Sequence, residues 1–335
     1  MQDPTALYEI DPTGDALALG VAQSTRETPS GVPDEVLPAT RPARGAGPVM
    51  LHVLDGFVDA GRAGSGLVAH LLETYEPTRV ATFDVDQLLD YRSRRPRVTY
   101  DASAWRDLDT PRLVVDLLRD DAGTPFLLMH GLEPDLQWER FVAAVRQVVE
   151  RYDVPLVVGT HGIPMGIPHT RPASVSVHGT RPELVADHPA WLGSVEVPAS
   201  ASTLLEVRLG EEGHDALGFA VHVPHYLAGS TYPRASVVAL EKVARAGGLE
   251  LVVDGLEASA RLVEEDIARQ VADNDEVAQV VEALERQYDA FTGAGGRGSL
   301  LADSADLPSA EELGAQFEEF LATFDAPGEP TADGV

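Results

Sequence analysis

The stretch VMLHVLDGFVDAGRAGSGLVAHLLETY, residues 49–75, places an apolar run, a glycine-rich loop and a helical pattern end to end. Val49–Leu54 reads as a buried strand, and a helix follows over roughly Ser65–Glu76. A second apolar run, VATFDV at Val80–Val85, comes next. Strand, helix, strand in that order predicts two parallel strands joined by a right-handed crossover. The loop between them, GFVDAGRAGSG from Gly56 to Gly66, raises the question of a phosphate cradle. A Walker loop needs a lysine and a hydroxyl after its last glycine. Here Arg62 and Ala63 follow Gly61. A dinucleotide fingerprint reads GxGxxG, whereas Gly61, Gly64 and Gly66 are spaced three then two apart. Neither motif is present. Two readings stand: a tight strand-to-helix turn that needs glycine φ angles, or an anion held by the amides of Gly64–Gly66 at the helix start. Asp55 and Asp59 oppose the second.

Outward from this unit, PRLVVDLLRDDAGTPFLLMHG reads as a hairpin turning at Asp121-Ala122-Gly123. The rival is a helix over Pro111–Arg119 capped by Thr110; the β-branched pair Val114-Val115 favours strands. Trp138–Asp153 is an amphipathic helix with Phe141, Val145, Val148 and Val149 on one face. VPLVVGTHG is a buried strand, and short runs follow at Ser174–Val177 and Ser194–Val197. Ser202–Leu209 reads as helix, Ala216–Val223 as strand, and Ala235–Ala246 as a helix ended by Gly247-Gly248. Leu256–Val271 and Asp275–Phe291 carry apolar residues at helical spacing. A further helix is expected at Ser309–Phe324, where Ser309 and Glu312 form a capping box. The sum is an α/β fold: a mixed, largely parallel central sheet flanked by helices, with an acidic C-terminal helical appendage. The expected divisions are an irregular arm over 1–46, rich in Pro, Gly, Thr and Asp, a core over 47–250, helices over 251–325 and a tail over 326–335.

Bulk properties narrow the function classes. The 335 residues include no cysteine, which excludes thiolate metal sites and cysteine nucleophiles. The net charge of −29 argues against a protein that tracks nucleic-acid phosphates or anionic membranes. Residues 250–335 alone hold 21 acidic against 4 basic residues, the mark of solvated helix faces or a tail. No leader-like apolar segment opens the chain and no run approaches the roughly 18 residues of a membrane helix. A soluble, cytoplasmic protein is expected.

Four loops each follow a predicted strand: Asp55–Gly61, His130–Trp138, Thr160–Pro172 and Val223–Pro233. Parallel strands would bring them to one edge, where open α/β sheets bind ligands. His130 and His161 end strands and fit a general base, with Glu133 beside His130 as a further candidate. Arg171 fits an anion holder and His169 lies in the rigid stretch PHTRP. For each histidine the alternative is a hydrogen-bonded structural role. His52 and His222 sit on strands, and no histidine has metal-ligand spacing such as HExxH. No metal or other cofactor is expected. Asp84 and Asp86 fit either a carboxylate pair or a helix cap. Arg92, Arg94, Arg95 and Arg97 crowd into YRSRRPR. In so acidic a chain they suit either an anionic ligand or, better, the acidic surface of a neighbouring subunit.

The blocks DGFVDAG, FDVDQLLDYRSRRP, HGLEPDLQW, GIPMGIPHTRP and VPHYLAGSTYP, in this order between Val49 and Gly248, resemble the bacterial branch of the proteasome assembly chaperone-like family. The resemblance implies a fold akin to nucleoside phosphorylases and peptidyl-tRNA hydrolases. Together with the arginine patch, the apolar faces of the acidic helices and the lack of a strong catalytic motif, the resemblance favours a non-catalytic assembly or interaction protein that self-associates, and the fold it implies makes a trimer the first expectation. The alternative is a nucleoside- or phosphate-type binder or enzyme at the strand ends. Proteasome-binding members of the wider family carry a hydrophobic–tyrosine–any residue C-terminal tail. This sequence ends PTADGV, so docking by that route is not expected.

Overall fold

A computed structural model describes residues 2–27, 46–188 and 194–293. Strands are β1 (Tyr8–Ile10), β2 (Val49–Asp55), β3 (Thr78–Phe83), β4 (Thr99–Asp101), β5 (Ala104–Arg106), β6 (Leu113–Arg119), β7 (Pro125–Leu132), β8 (Val157–Met165), β9 (Val175–Gly179) and β10 (Ala216–Pro224). Helices are α1 (Pro12–Glu27), α2 (Ala63–Thr74), α3 (Trp138–Arg151), α4 (Pro182–Val185), α5 (Ala201–Glu211), α6 (Pro233–Gly247), α7 (Asp254–Ala272) and α8 (Asp275–Gly293). Eight strands form one sheet in the order β1-β3-β6-β7-β2-β8-β10-β9, and β4 with β5 makes a separate hairpin.

The middle of the sheet, β7-β2-β8-β10, is parallel throughout. Its strands are buried on both faces, which is why they read as near-continuous apolar runs; all nine residues of β10 are buried. The predicted hairpin is there: β6 and β7 pair antiparallel around the turn at Asp120–Thr124. The crossover from β2 through α2 differs from the simplest expectation. β3 runs in the same sense as β2 but lies three positions along the sheet from it, because β6 and β7 insert between them.

Strand parity sorts the core into two layers. Leu51, Val53, Leu128, Val158, Phe219 and Val221 face α2, α6 and α7. Met50, Leu127, Met129 and Val157 face α3 and α5, with Leu7 and Ala18 joining that layer. α3 shows the cause plainly, since Phe141, Val142, Val145, Val148 and Val149 form one buried stripe. α6 starts with Pro233 in its first turn and stops at Gly248, which takes the left-handed conformation at the C-cap. α7 and α8 add Leu256, Ala260, Ile267, Val281 and Leu284 to the main core.

Two expectations are corrected. The first residues are not an irregular arm. Asp11 caps α1 by accepting from the amides of Thr13 and Gly14, and β1 pairs with β3 through Tyr8↔Phe83. A Pro-, Gly- and Thr-rich composition hid a cap followed by proline, which is itself a helix-start signal. Residues 194–197 form no strand. β9 occupies the sheet edge on that side, and Val195 and Val197 are left exposed. The helix expected at Ser309–Phe324 and the tail beyond it lie outside the described residues.

Candidate functional site

The four loops do converge, since β7, β2, β8 and β10 end on the same side. The glycine-rich loop shows what its amides hold. Asp59 Oδ1 accepts from Gly64 N at 2.9 Å and Gly162 N at 3.0 Å; its Oδ2 accepts from Ser65 N and Ser65 Oγ, both at 2.9 Å. The carboxylate thus takes the place a phosphate would take at the start of α2. Gly61, at φ 65°, lets the chain turn. Gly66 lies against Ser236, so its missing side chain allows α2 to meet α6.

His130, Glu133, Arg94, His169 and Arg171 are likewise engaged from within. His130 Nε2 lies 2.9 Å from Asp116 Oδ2, whose Oδ1 accepts from Arg79 Nε at 2.6 Å. Burial pushes the Asp116 carboxyl up, but the His130 and Arg79 bonds outweigh it and hold it below the usual carboxylate range. Glu133 is 5% exposed and accepts from Ala201 N at 2.6 Å, tying the loop to the first turn of α5. Arg94 does not face outward. It donates to the carbonyls of Asp55 and Glu133 and pairs with Asp135 at 3.0 Å. Arg92, Arg95 and Arg97 are exposed. Asp84 caps the short turn after β3 by accepting from Asp86 N.

At the far end of the edge, α8 closes over the loop after β8. Arg171 grips Asp289 through two bonds, at 2.8 and 2.7 Å, and pairs with Glu285 at 3.3 Å. Thr170 Oγ1 also donates to Glu285. Beneath them Met165, Ile167, Tyr288 and Phe291 pack together. His169 holds Tyr226 Oη through its amide and Nδ1, and burial lowers its pKa.

His130 and His161 do not meet. His130 pairs with Val53 and faces the α2/α6 layer, whereas His161 shares parity with Gly159 and Val157 on the opposite face. Reading each histidine only as "at a strand end" hid this, since parity becomes usable once the register is known. The sequence also gave no weight to the β4–β5 hairpin. Tyr100 is 61% and Trp105 70% exposed there, their rings 4.9 Å apart, with Val98 and Leu108 exposed beside them.

Residues 53–271 match the PAC2 family. The chain belongs to that family. A Mycobacterium tuberculosis protein of unknown function is 43% identical, over 86% of this chain and 92% of its own, with a TM-score of 0.74. A Corynebacterium glutamicum protein of unknown function is 33% identical over 86% and 98%, with a TM-score of 0.73. A Mycobacterium tuberculosis proteasome-assembly chaperone homologue is 26% identical over 70% and 99%, with a TM-score of 0.64. No curated protein matches the chain. As a PAC2 protein it keeps the mixed sheet, and among the described residues no helix is long and apolar enough to cross a membrane.

Proposed function

We propose that this PAC2 protein is a non-catalytic, cytoplasmic, self-associating assembly protein whose contact element is the β4–β5 hairpin. The observation that carries this is the paired exposure of Tyr100 and Trp105 beside the exposed Arg92, Arg95 and Arg97. Tyr, Trp and Arg are the residue types that dominate binding energy at protein interfaces. The likeness to a proteasome-assembly chaperone homologue supports a role among protein partners. So does the strand-end edge, where His130, Glu133, His169 and Arg171 are held by internal partners.

Light scattering on size-exclusion-purified protein at micromolar concentration tests this. A homo-oligomer, with a trimer expected, that falls to monomers in Tyr100→Ala/Trp105→Ala supports the reading. A monomeric wild-type protein overturns the self-association, and an oligomer indifferent to the double variant moves the contact elsewhere. Circular dichroism on the variant checks that the fold is kept; both side chains are solvent-facing, so little stability rests on them.

The rival reading is a nucleoside- or phosphate-binding site at the strand ends in a phosphorylase- or hydrolase-like architecture. Against it stand Asp59 and Asp289, which occupy the amides and the guanidinium that an anion would need. A thermal-shift panel of phosphate, sulfate and nucleosides reads it directly. A dose-dependent rise in Tm, lost in Arg171→Ala, would reinstate the small-molecule site.

A further inference from the structure

A buried charge destabilises a fold unless an opposite charge lies beside it. Among the described residues Arg140 is the one arginine or lysine that is buried, at 6% exposure. Buried carboxylates nearby in the sheet follow the rule: Asp116 pairs with Arg79, and Asp215 with Arg181. Arg140 forms no ion pair with a described carboxylate. Its Nε donates to the carbonyl of Asp3 at 2.9 Å. Its Nη1 donates to Oε1 of Gln2, Gln87 and Gln137 at 3.1, 2.9 and 2.9 Å. Every one of these acceptors is neutral. Asp3 turns its carboxylate to the amide of Thr5 instead.

The last nitrogen, Nη2, has no hydrogen-bond partner among the described residues, and it is not one of the sealed, partnerless atoms of the core. It therefore reaches the surface, where Arg140 lines an open cleft of about 400 Å³ with Gln2, Gln137, Trp138 and Glu139. The cleft sits on the first turn of α3. Gln137, at the N-cap, takes a left-handed φ of 59° and makes no side-chain cap. Its Oε1 goes to Arg140 instead. The amides of Trp138, Glu139 and Arg140 are thus left without an acceptor among the described residues. They add the positive end of the helix dipole to the guanidinium. Glu139 is the one carboxylate on the cleft wall, and it is held by Arg208 at 3.0 and 2.5 Å.

We propose that Arg140 and the first turn of α3 bind the carboxylate or phosphate group of a small molecule. A guanidinium and the free amides of a helix start are the donors that oxyanions take best. The anion supplies the counter-charge that the fold withholds from Arg140. In a chain of net charge −29 an anion is held only where positive charge is concentrated and no carboxylate competes. The cleft is larger than a bare anion and falls in the range of roughly 300–1,000 Å³ of small-molecule pockets. The anionic group sits against Arg140, and the rest of the molecule lies along Trp138, whose ring is fixed by donation from Nε1 to the carbonyl of Pro134 at 2.6 Å. This site uses none of the residues of the hairpin, and none of those held by Asp59 and Asp289.

The test is a thermal-shift titration of the full-length protein with sodium phosphate and, separately, sodium acetate, against sodium chloride at matched ionic strength. A saturating rise in Tm with at least one of the two is expected, because an anion bound to the native state stabilises it by mass action. The general salting effect of phosphate reaches every variant alike, so the variants carry the reading. Gln137→Glu places a carboxylate where Oε1 meets Arg140. It is expected to raise Tm without added anion and to weaken anion binding at least about tenfold. Arg140→Gln is expected to abolish the response; where that variant fails to fold, Gln137→Glu decides alone. Arg171→Ala, at the α8 contact, should leave the response unchanged. A response to phosphate alone assigns a phosphate group, and one to acetate alone a carboxylate; either upholds the site. No rise beyond chloride overturns the proposal. So does a rise that persists in full in Gln137→Glu, or one that is lost in Arg171→Ala, since the strand-end edge would then hold the anion.

Discussion

Asp59 shows how one side chain can decide what a glycine-rich loop is for. Its carboxylate accepts four hydrogen bonds, three of them from backbone amides of Gly64, Ser65 and Gly162. Asp59→Ala leaves those donors without their acceptor. The expected loss is roughly 2–4 kcal/mol of unfolding free energy, measured by urea denaturation. A smaller change than 1 kcal/mol, roughly the worth of one hydrogen bond, would mean that water replaces the carboxylate at no cost. The sequence carried the opposing sign of Asp59, but not that its carboxylate itself would be the bound anion. That depends on Gly162, more than a hundred residues away, arriving beside the loop.

His222 offers a pH test at the same scale. It is fully buried, and burial lowers its pKa from 6.5 to about 4. Between those values the unfolded chain binds a proton that the folded chain does not, so stability falls as the pH drops through this window. The contribution lost by pH 5 is about 2 kcal/mol. His222→Gln, which does not titrate, should show a shallower decline between pH 7 and 5. Comparing the two proteins cancels the relief of acidic self-repulsion that both share. Parallel pH profiles would show that the His222 site admits the proton when folded.

At the level of elements, periodicity made most of the fold legible, and contact partners made the rest. α3, α6, α7 and α8 announce themselves by apolar spacing, and the β6–β7 hairpin by Val114-Val115 and its turn. α1 was missed although Asp11-Pro12 is a cap followed by proline, because the surrounding composition was weighed above that signal. Residues 194–197 were overread, because alternation alone does not supply a neighbouring strand. The docking of α8 on the loop after β8 was not legible either, since it needs Tyr288 and Phe291 to meet Met165 and Ile167 across more than a hundred residues. This contact predicts a local opening unit. Arg171→Ala removes the guanidinium bridging Asp289 and Glu285, and Tyr288→Ala removes a buried ring. Both should speed hydrogen exchange in α8 and in residues 163–172, while β2, β8 and β10 keep their protection. Exchange rising uniformly over the sheet would show that α8 and the core open as one.

For the whole molecule, charge distribution is the governing fact. The net charge of −29 repels like copies, and residues 250–335 hold only 4 of the 25 basic residues. The exposed Arg92, Arg95 and Arg97 sit instead beside the Tyr100/Trp105 hairpin. If that hairpin joins copies of the chain, two forces of different salt response act together. Pairing of arginines with a neighbour's acidic face weakens as the Debye length shrinks from about 10 Å at 0.1 M towards 3 Å at 1 M. Burial of Tyr100 and Trp105 does not weaken with salt. Long-range repulsion between the acidic bodies is also screened, so salt alone gives a net sign that mixes two effects. A charge-reversal variant separates them. Arg97→Glu weakens the attraction and leaves the body charge nearly as it was. Sedimentation velocity should therefore show Arg97→Glu associating more weakly than the wild type at roughly 0.05 M salt, with the gap between them closing towards roughly 0.5 M. Trp105→Ala should dissociate the assembly at both. Identical salt curves for the wild type and Arg97→Glu would take the arginine patch out of the interface and leave the aromatic pair as its whole attraction.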